Sequence, residues 1–292
     1  MPSDTPTAHR PRSPVLVITG MHRSGTSVTA QTLQAAGLFI GERLMPAHWS
    51  NPDGHFEDLD FHELSRAIIA DNGYPCSGLL SDVRISVSIS RRAEAQALVA
   101  RRRALGVPWG WKDPRSVLLL DLWADLLPEA HFLFTFRAPW DVTDSLFRRG
   151  DPACQDDPML GLRTWLHYCR AIRDFVRAEP SRSVVFEVSQ LSSAPDRCIG
   201  EVSSRTGIRL DGSVDRFRPE HMSAVTDEAH VALAHALSPE ATRVYSELCA
   251  LSGSDAARRA PPSERGLAIM LERCLAQWAR SGASAAARTR RG

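Results

Sequence analysis

The stretch Pro14–Ser27, PVLVITGMHRSGTS, decides how the rest of the chain is read. Its first half, Pro14 to Gly20, is a short apolar run rich in β-branched residues and ending in glycine, as expected of a strand buried on both faces of a parallel sheet. Ser24 to Ala36 has helix-compatible residues, with Gly37 placed as the C-terminal stop. Strand, tight turn and helix in that order gather backbone N–H groups and the positive end of a helix dipole around the turn, a ready place for a phosphate. Glycine in such a turn also serves geometry alone. The strand before it and the helix after it give the anion reading its weight.

Outward from this unit the pattern repeats. Val107 to Lys112, His131 to Phe136 (HFLFTF) and Ser183 to Val188 (SVVFEV) read as further buried strands. Helical patterns fall at Phe56 to Ala70, Ser90 to Leu105, Val117 to Leu127, Pro139 to Arg149, Leu160 to Arg177 and Ser192 to Thr206. Pro139 suits a first helical turn, where its missing N–H would be unpaired in any case. Strands alternating with helices predict an α/β fold of three α/β/α layers around a mostly parallel central sheet, followed beyond Gly212 by a part that is helix and loop only. At 292 residues and 43% hydrophobic content, one sizeable domain is expected over residues 14–252. Residues 1–13 read as a disordered, proline-rich N-terminal segment, and 253–292 as a helix (Glu264 to Arg280) with a basic tail. The run Arg91, Arg92 and Arg101 to Arg103 reads as a solvated helix face.

Thirty-five basic against 34 acidic residues leave a formal net charge of +1, which gives no reason to expect nucleic acid or an anionic membrane as a main partner. No apolar run approaches the ~20 residues that span a bilayer, and the first dozen residues lack an apolar signal region. Six scattered cysteines without a CxxC pair suggest neither a disulfide framework nor a zinc site, and a protein of the reducing cytoplasm is expected. Anion chemistry must then come from local placement. Of the 35 basic residues only Lys112 is lysine. A chain that uses arginine wherever positive charge suffices has reason to place lysine where a planar guanidinium would fail.

Gly20 to Ser27 has the glycine and hydroxyl spacing of a P-loop, but Thr26 stands where P-loop NTPases carry the lysine that bridges the outer phosphates. Arg23 is the nearest cation. A second strand-to-helix junction follows His131 to Phe136, where Arg137 is succeeded eight residues later by Ser145. Both can reach the carboxyl edge of the sheet, where open α/β folds bind ligands. An arginine fork suits a phosphate dianion, and the serine adds a neutral donor.

His22 to Ser27 resembles the 5′-phosphosulfate loop of sulfotransferases that use 3′-phosphoadenosine 5′-phosphosulfate (PAPS), with His22 in place of the usual proline. Arg137 to Arg149 is similar to the 3′-phosphate element of that family. Trp109 to Arg115 resembles the Lys-Asp-Pro segment of its tyrosylprotein and bacterial branches. The likeness runs over about residues 14 to 222. It implies a P-loop-like sulfotransferase fold that moves the sulfuryl group of PAPS, without a metal, to a hydroxyl or amine of a carbohydrate, lipid or other small acceptor. Carried onto this chain, it implies His22, Arg23, Ser24, Gly25, Thr26 and Ser27 around the 5′-phosphosulfate, Arg137, Ser145 and Arg149 at the 3′-phosphate, and Lys112 with Arg23 at the sulfuryl group. Asn51 to Asp58 is similar to the acidic segment that supplies a glutamate base in those branches. Glu57 is therefore the expected base, with His55 and Asp58 as alternatives, because the histidine that cytosolic sulfotransferases carry two positions after the lysine is Pro114 here. A carboxylate beside two cations is a weak base unless burial or the bound sulfate raises its pKa. Val184 to Glu187 resembles a later strand of the family, and Arg216-Phe-Arg218 an element that covers the nucleotide.

The residues also admit a P-loop kinase using ATP and Mg²⁺, although the chain lacks a lysine after Gly25 and offers only Asp113 as a metal-binding acid at a strand end. A non-catalytic nucleotide-binding protein is a further alternative. Neither acceptor nor oligomeric state is legible; Ile69 to Arg92 and the helical part beyond Gly212 are expected to shape the acceptor pocket.

Overall fold

A computed structural model describes residues 13–47, 54–211, 227–255 and 263–289. Four short strands carry the fold: β1 (Val15–Gly20), β2 (Trp109–Lys112), β3 (His131–Phe136) and β4 (Ser183–Glu187). They form one parallel sheet in the order β2-β1-β3-β4, with Ile18 beside Lys112, Gly20 beside Thr135 and Phe136 beside Glu187. All four strands therefore end at one edge, and the residues expected to bind or react lie at that edge, on the helices that follow β1 and β3, or on the chain at residues 55–58.

Helices cover both faces. Between β1 and β2 run α1 (Thr26–Ala35), α2 (Leu59–Asp71) and α3 (Ile89–Arg103), and after β2 a 3₁₀ turn (Pro114–Leu119) leads into α4 (Leu120–Leu126). Between β3 and β4 lie α5 (Pro139–Arg149), α6 (Pro152–Asp156) and α7 (Leu160–Ala178). Beyond β4 come α8 (Val188–Ser193), α9 (Pro195–Thr206), α10 (Glu228–Leu237), α11 (Pro239–Ser252) and α12 (Glu264–Thr289). Side chains alternate between two cores, as strand geometry requires. Val15, Val17, Trp109, Trp111, Phe132 and Phe134 meet α2, α3, α5, α7 and α11 on one face, whereas Leu16, Ile18, Leu133, Val184 and Phe186 meet α1 and α9 on the other. The three expected layers are present.

Departures from the sequence reading are local. Strand β2 begins at Trp109, leaving Val107 exposed. The helix expected over Val117 to Leu127 opens as the 3₁₀ turn, whose Pro114 follows the capping carboxylate of Asp113. The helix expected from Ser192 starts earlier, at Val188, and breaks at Ala194 because the residue before a proline disfavours the helical region. Arg102 departs from the solvated face: it is 4% exposed and sits between Asp58 and Asp60, while Arg101 stays in solvent. Arg216 and Arg218, residues 1–12, 51–53 and the last three of the basic tail lie outside the described residues. No helix among the described residues is long and apolar enough to cross a membrane.

Candidate active site

The turn after β1 is shaped by two glycines. A side chain at Gly20 would place its Cβ 2.1 Å from the carbonyl oxygen of Thr135, so only glycine lets β3 come this close. Gly25 takes φ +85° and packs against Val188, whose Cγ2 lies 2.4 Å from where a Cβ would sit. Helix α1 then starts with no capping side chain and no acid in its first turn, so the positive end of its dipole faces the loop without a carboxylate of its own first turn beside it. The Ser24 hydroxyl is buried there with no hydrogen-bond partner. Arg23 holds a left-handed φ of +66°, sparsely populated for a residue with a side chain and typical of ligand-binding turns.

That conformation carries the Arg23 guanidinium across to α5, where Nε donates to Ser145 Oγ at 2.9 Å. Arg137, 6% exposed at the end of β3, lies 3.5 Å from Asp141 one helical turn later, and its carbonyl accepts from Trp165 Nε1 at 2.9 Å. Arg149 pairs with Asp151 at 2.5 Å. Burial, then Arg149, Arg137 and Arg148, bring the Arg23 pKa down to about 10. A guanidinium under such pressure marks a place whose field favours an anion. The cradle and the Arg137–Ser145 junction, read separately from the sequence, are bridged by Arg23, which here faces Ser145.

The third part of the site is the pair Lys112–Glu57. The ring of Phe61 in α2 stacks on Trp111 with centroids 4.1 Å apart and planes 7° from parallel, which docks α2 on β2. A short bridge between Leu44 and Asp58, with Met45 N donating to the Glu57 carbonyl, holds the chain just before α2, and Phe56 turns it with φ +54°. Lys112 is 2% exposed, and its Nζ donates to Glu57 Oε1 at 2.7 Å, the His55 carbonyl at 3.1 Å and Ser27 Oγ at 3.3 Å. Glu57 Oε2 lies 2.7 Å from His62 Nδ1 and 3.5 Å from Arg115 Nη1. Burial pushes the Glu57 carboxyl up, but Lys112, His62 and Arg115 outweigh it and hold the pKa well below the usual range. Burial, together with Arg115 and Lys112, holds His22 well below the ordinary histidine range, so its imidazole is neutral.

Of the three candidate bases, Glu57 alone brings a side-chain oxygen to Lys112. His55 offers its backbone carbonyl, and the Asp58 carboxylate caps α2 and accepts from Arg102 Nη2 at 2.8 Å. The sequence reading missed His62 and Arg115, which complete the grip on Glu57. Arg115 had a faint signal, three residues after the sole lysine. Glu57, His62 and Asp113 bring three ligand atoms within 4.8 Å of one another, a spacing a divalent cation could bridge. Arg115 Nη1 already lies 3.1 Å from Asp113 Oδ1 and 3.5 Å from both Glu57 Oε2 and His62 Nδ1, so the guanidinium supplies the cation among them.

Solved sulfotransferase structures are similar to this chain, three of them as follows. A sulfotransferase from Mycobacterium avium aligns at 14% identity over 82% of this chain and 76% of its own, with a TM-score of 0.50. One from Alicyclobacillus acidocaldarius aligns at 15% identity over 85% and 99%, with a TM-score of 0.49. The sulfotransferase domain of the Synechococcus PCC 7002 olefin synthase aligns at 18% identity over 84% and 95%, with a TM-score of 0.46. No curated protein matches the chain at a significant level. Residues 14–211, which span the sheet, the glycine turn after β1, the Lys112–Glu57 pair and the Arg137 junction, match the sulfotransferase family, and the chain belongs to that family.

Proposed function

We propose that this enzyme takes the sulfuryl group of PAPS and passes it to a hydroxyl or amine of a small-molecule, glycan or lipid acceptor. One observation carries the reading: the only lysine of the chain is buried at the junction of the phosphate turn and an acidic residue, touching Ser27 on one side and Glu57 on the other. The N–H groups at the start of α1 and the hydroxyls of Ser24, Thr26 and Ser27 suit the 5′-phosphosulfate, and Arg137, Ser145 and Arg149, with Arg23 between the two ends, suit the 3′-phosphate.

Sulfuryl transfer resembles phosphoryl transfer, an in-line displacement whose developing charge is met by fixed cations. Lys112 is placed to meet charge on the oxygen that leaves with the 5′-phosphate, and Glu57 is ionised and so free to take a proton. An anionic sulfuryl group competes for the Lys112 ammonium. Glu57 then loses the strongest pull on its pKa, burial takes over, and the carboxylate becomes a stronger base as the acceptor arrives.

The test is thermal unfolding. Adenosine 3′,5′-bisphosphate without magnesium, at 100 times its Kd, is expected to stabilise the protein by about 2.7 kcal/mol. Transfer of ³⁵S from PAPS into a panel of hydroxylated compounds then identifies the acceptor class. Stabilisation by ATP with magnesium only would replace this reading by the kinase one.

A further inference from the structure

Between α2 and α3 the chain runs from residue 72 to 88 without regular structure. It is nonetheless tied down. At its base the Asn72 side chain donates to the Ser86 carbonyl at 2.8 Å and accepts from Ser86 N at 2.9 Å. At its far end the Arg115 Nε donates to the Cys76 carbonyl at 3.0 Å, and the buried Tyr168 hydroxyl of α7 donates to the Gly78 carbonyl at 2.7 Å. Leu79 and Leu80 are buried behind these contacts. A loop closed by one side chain and seated at its tip on the body is a compact, packed segment of the kind that carries function.

The place where it is seated matters. A Cβ on Gly78, whose φ is +76°, would come 3.0 Å from Arg115 Cγ, 3.1 Å from Tyr168 Oη and 3.4 Å from His22 Nε2. Gly78 is thus enclosed by the phosphate turn, the Lys-Asp-Pro-Arg segment and α7. His22 Nε2 is buried there without a hydrogen-bond partner. Arg115 links the same loop to Glu57, with Nε on the Cys76 carbonyl and Nη1 3.5 Å from Glu57 Oε2, so the tip is one side chain away from the Lys112–Glu57 pair. Burial holds the Tyr168 pKa above the usual phenol range, which keeps the hydroxyl a donor.

Resting on the donor reading above, we propose that Tyr168 is a specificity-determining residue. By seating Gly78 against the reaction centre it keeps water from the sulfuryl group and reserves transfer for an acceptor that fits under the loop. The reaction it suppresses is hydrolysis of PAPS. A water oxygen bonds to sulfur, the bond from sulfur to the 5′-phosphate oxygen breaks with its electron pair on the phosphate, and the water proton passes to Glu57 or solvent, leaving sulfate and adenosine 3′,5′-bisphosphate.

The experiment measures ³⁵S-sulfate release from PAPS without acceptor, alongside calorimetric affinity for adenosine 3′,5′-bisphosphate. Tyr168→Phe removes the hydrogen bond from one side and Gly78→Ala crowds it from the other, so the two variants reach the same contact independently. Each is expected to raise sulfate release at least ~5-fold, the scale of one lost hydrogen bond, with bisphosphate affinity within about 2-fold of wild type. A purely structural role would lower thermal stability and depress release. Unchanged or lowered release in both variants, with bisphosphate binding retained, overturns the proposal. A wild-type protein that binds no bisphosphate strikes the donor reading instead.

Discussion

Lys112 and Glu57 form a buried ion pair, and such a pair costs most when one partner is removed, because the other charge is left in a poorly solvating interior. Glu57→Gln is expected to lower stability by about 3 kcal/mol at neutral pH. It should also lower turnover at least ~10²-fold, the scale of general-base loss, with nucleotide affinity near normal. The pH dependence follows from the sign of the shift. Glu57 is held below its unfolded pKa of about 4.3, so its contribution is fully present above that value and is lost as pH falls through the lower folded value. Urea denaturation of wild type and variant should show a stability gap that is flat above about pH 5 and closes below about pH 4. A gap that persists unchanged to about pH 3 would mean that Glu57 is not held as a carboxylate by its neighbours.

Among the elements, α2 and α3 together set where Glu57 stands. Phe61 stacks α2 on Trp111, and Arg102 reaches from α3 to Asp58, the fully buried residue beside Glu57. Arg102→Met leaves the Asp58 carboxylate without its cation and is expected to cost about 3 kcal/mol at neutral pH. Burial already raises the Asp58 pKa, and Arg102 opposes that rise. Without Arg102 the folded pKa goes further up, and a raised pKa gives stability that is present at low pH and lost as pH rises through it. The deficit of the variant should therefore be largest at pH 7 and above and shrink toward about pH 4, read by thermal unfolding across that range. A deficit independent of pH would show that Arg102 acts by packing alone. These elements also show what a sequence can display. The strands were legible because each is short, apolar and bounded by glycine or by a charged turn, and the junctions at Gly20 and Arg137 were legible because their meaning is local. The burial of Arg102 was not, since a run of arginines on one helix carries no sign of the two aspartates that the fold brings to it from α2. Contacts between distant segments, such as Arg23 with Ser145 at a separation of 122 residues, were equally silent.

Across the whole molecule, a formal net charge of +1 conceals two local clusters. Arg23, Arg137, Arg148 and Arg149 gather on one stretch of the sheet edge, the last three paired with Asp141, Asp144 and Asp151, while Lys112 and Arg115 face Glu57 and Asp113 on another. The parallel sheet in the order β2-β1-β3-β4 makes that separation, because the turn after β1 lies between the ends of β2 and β3. In the proposed function a single nucleotide bridges the two stretches, with its 3′-phosphate at Arg137. Calorimetry of adenosine 3′,5′-bisphosphate and adenosine 5′-monophosphate against wild type and Arg137→Ala tests this most directly. The wild type should favour the bisphosphate by about 10²-fold, and Arg137→Ala should lose most of that preference while its affinity for the 5′-monophosphate stays within about 3-fold. Equal affinity of the wild type for both nucleotides, or an Arg137→Ala variant that weakens both alike, would contradict it.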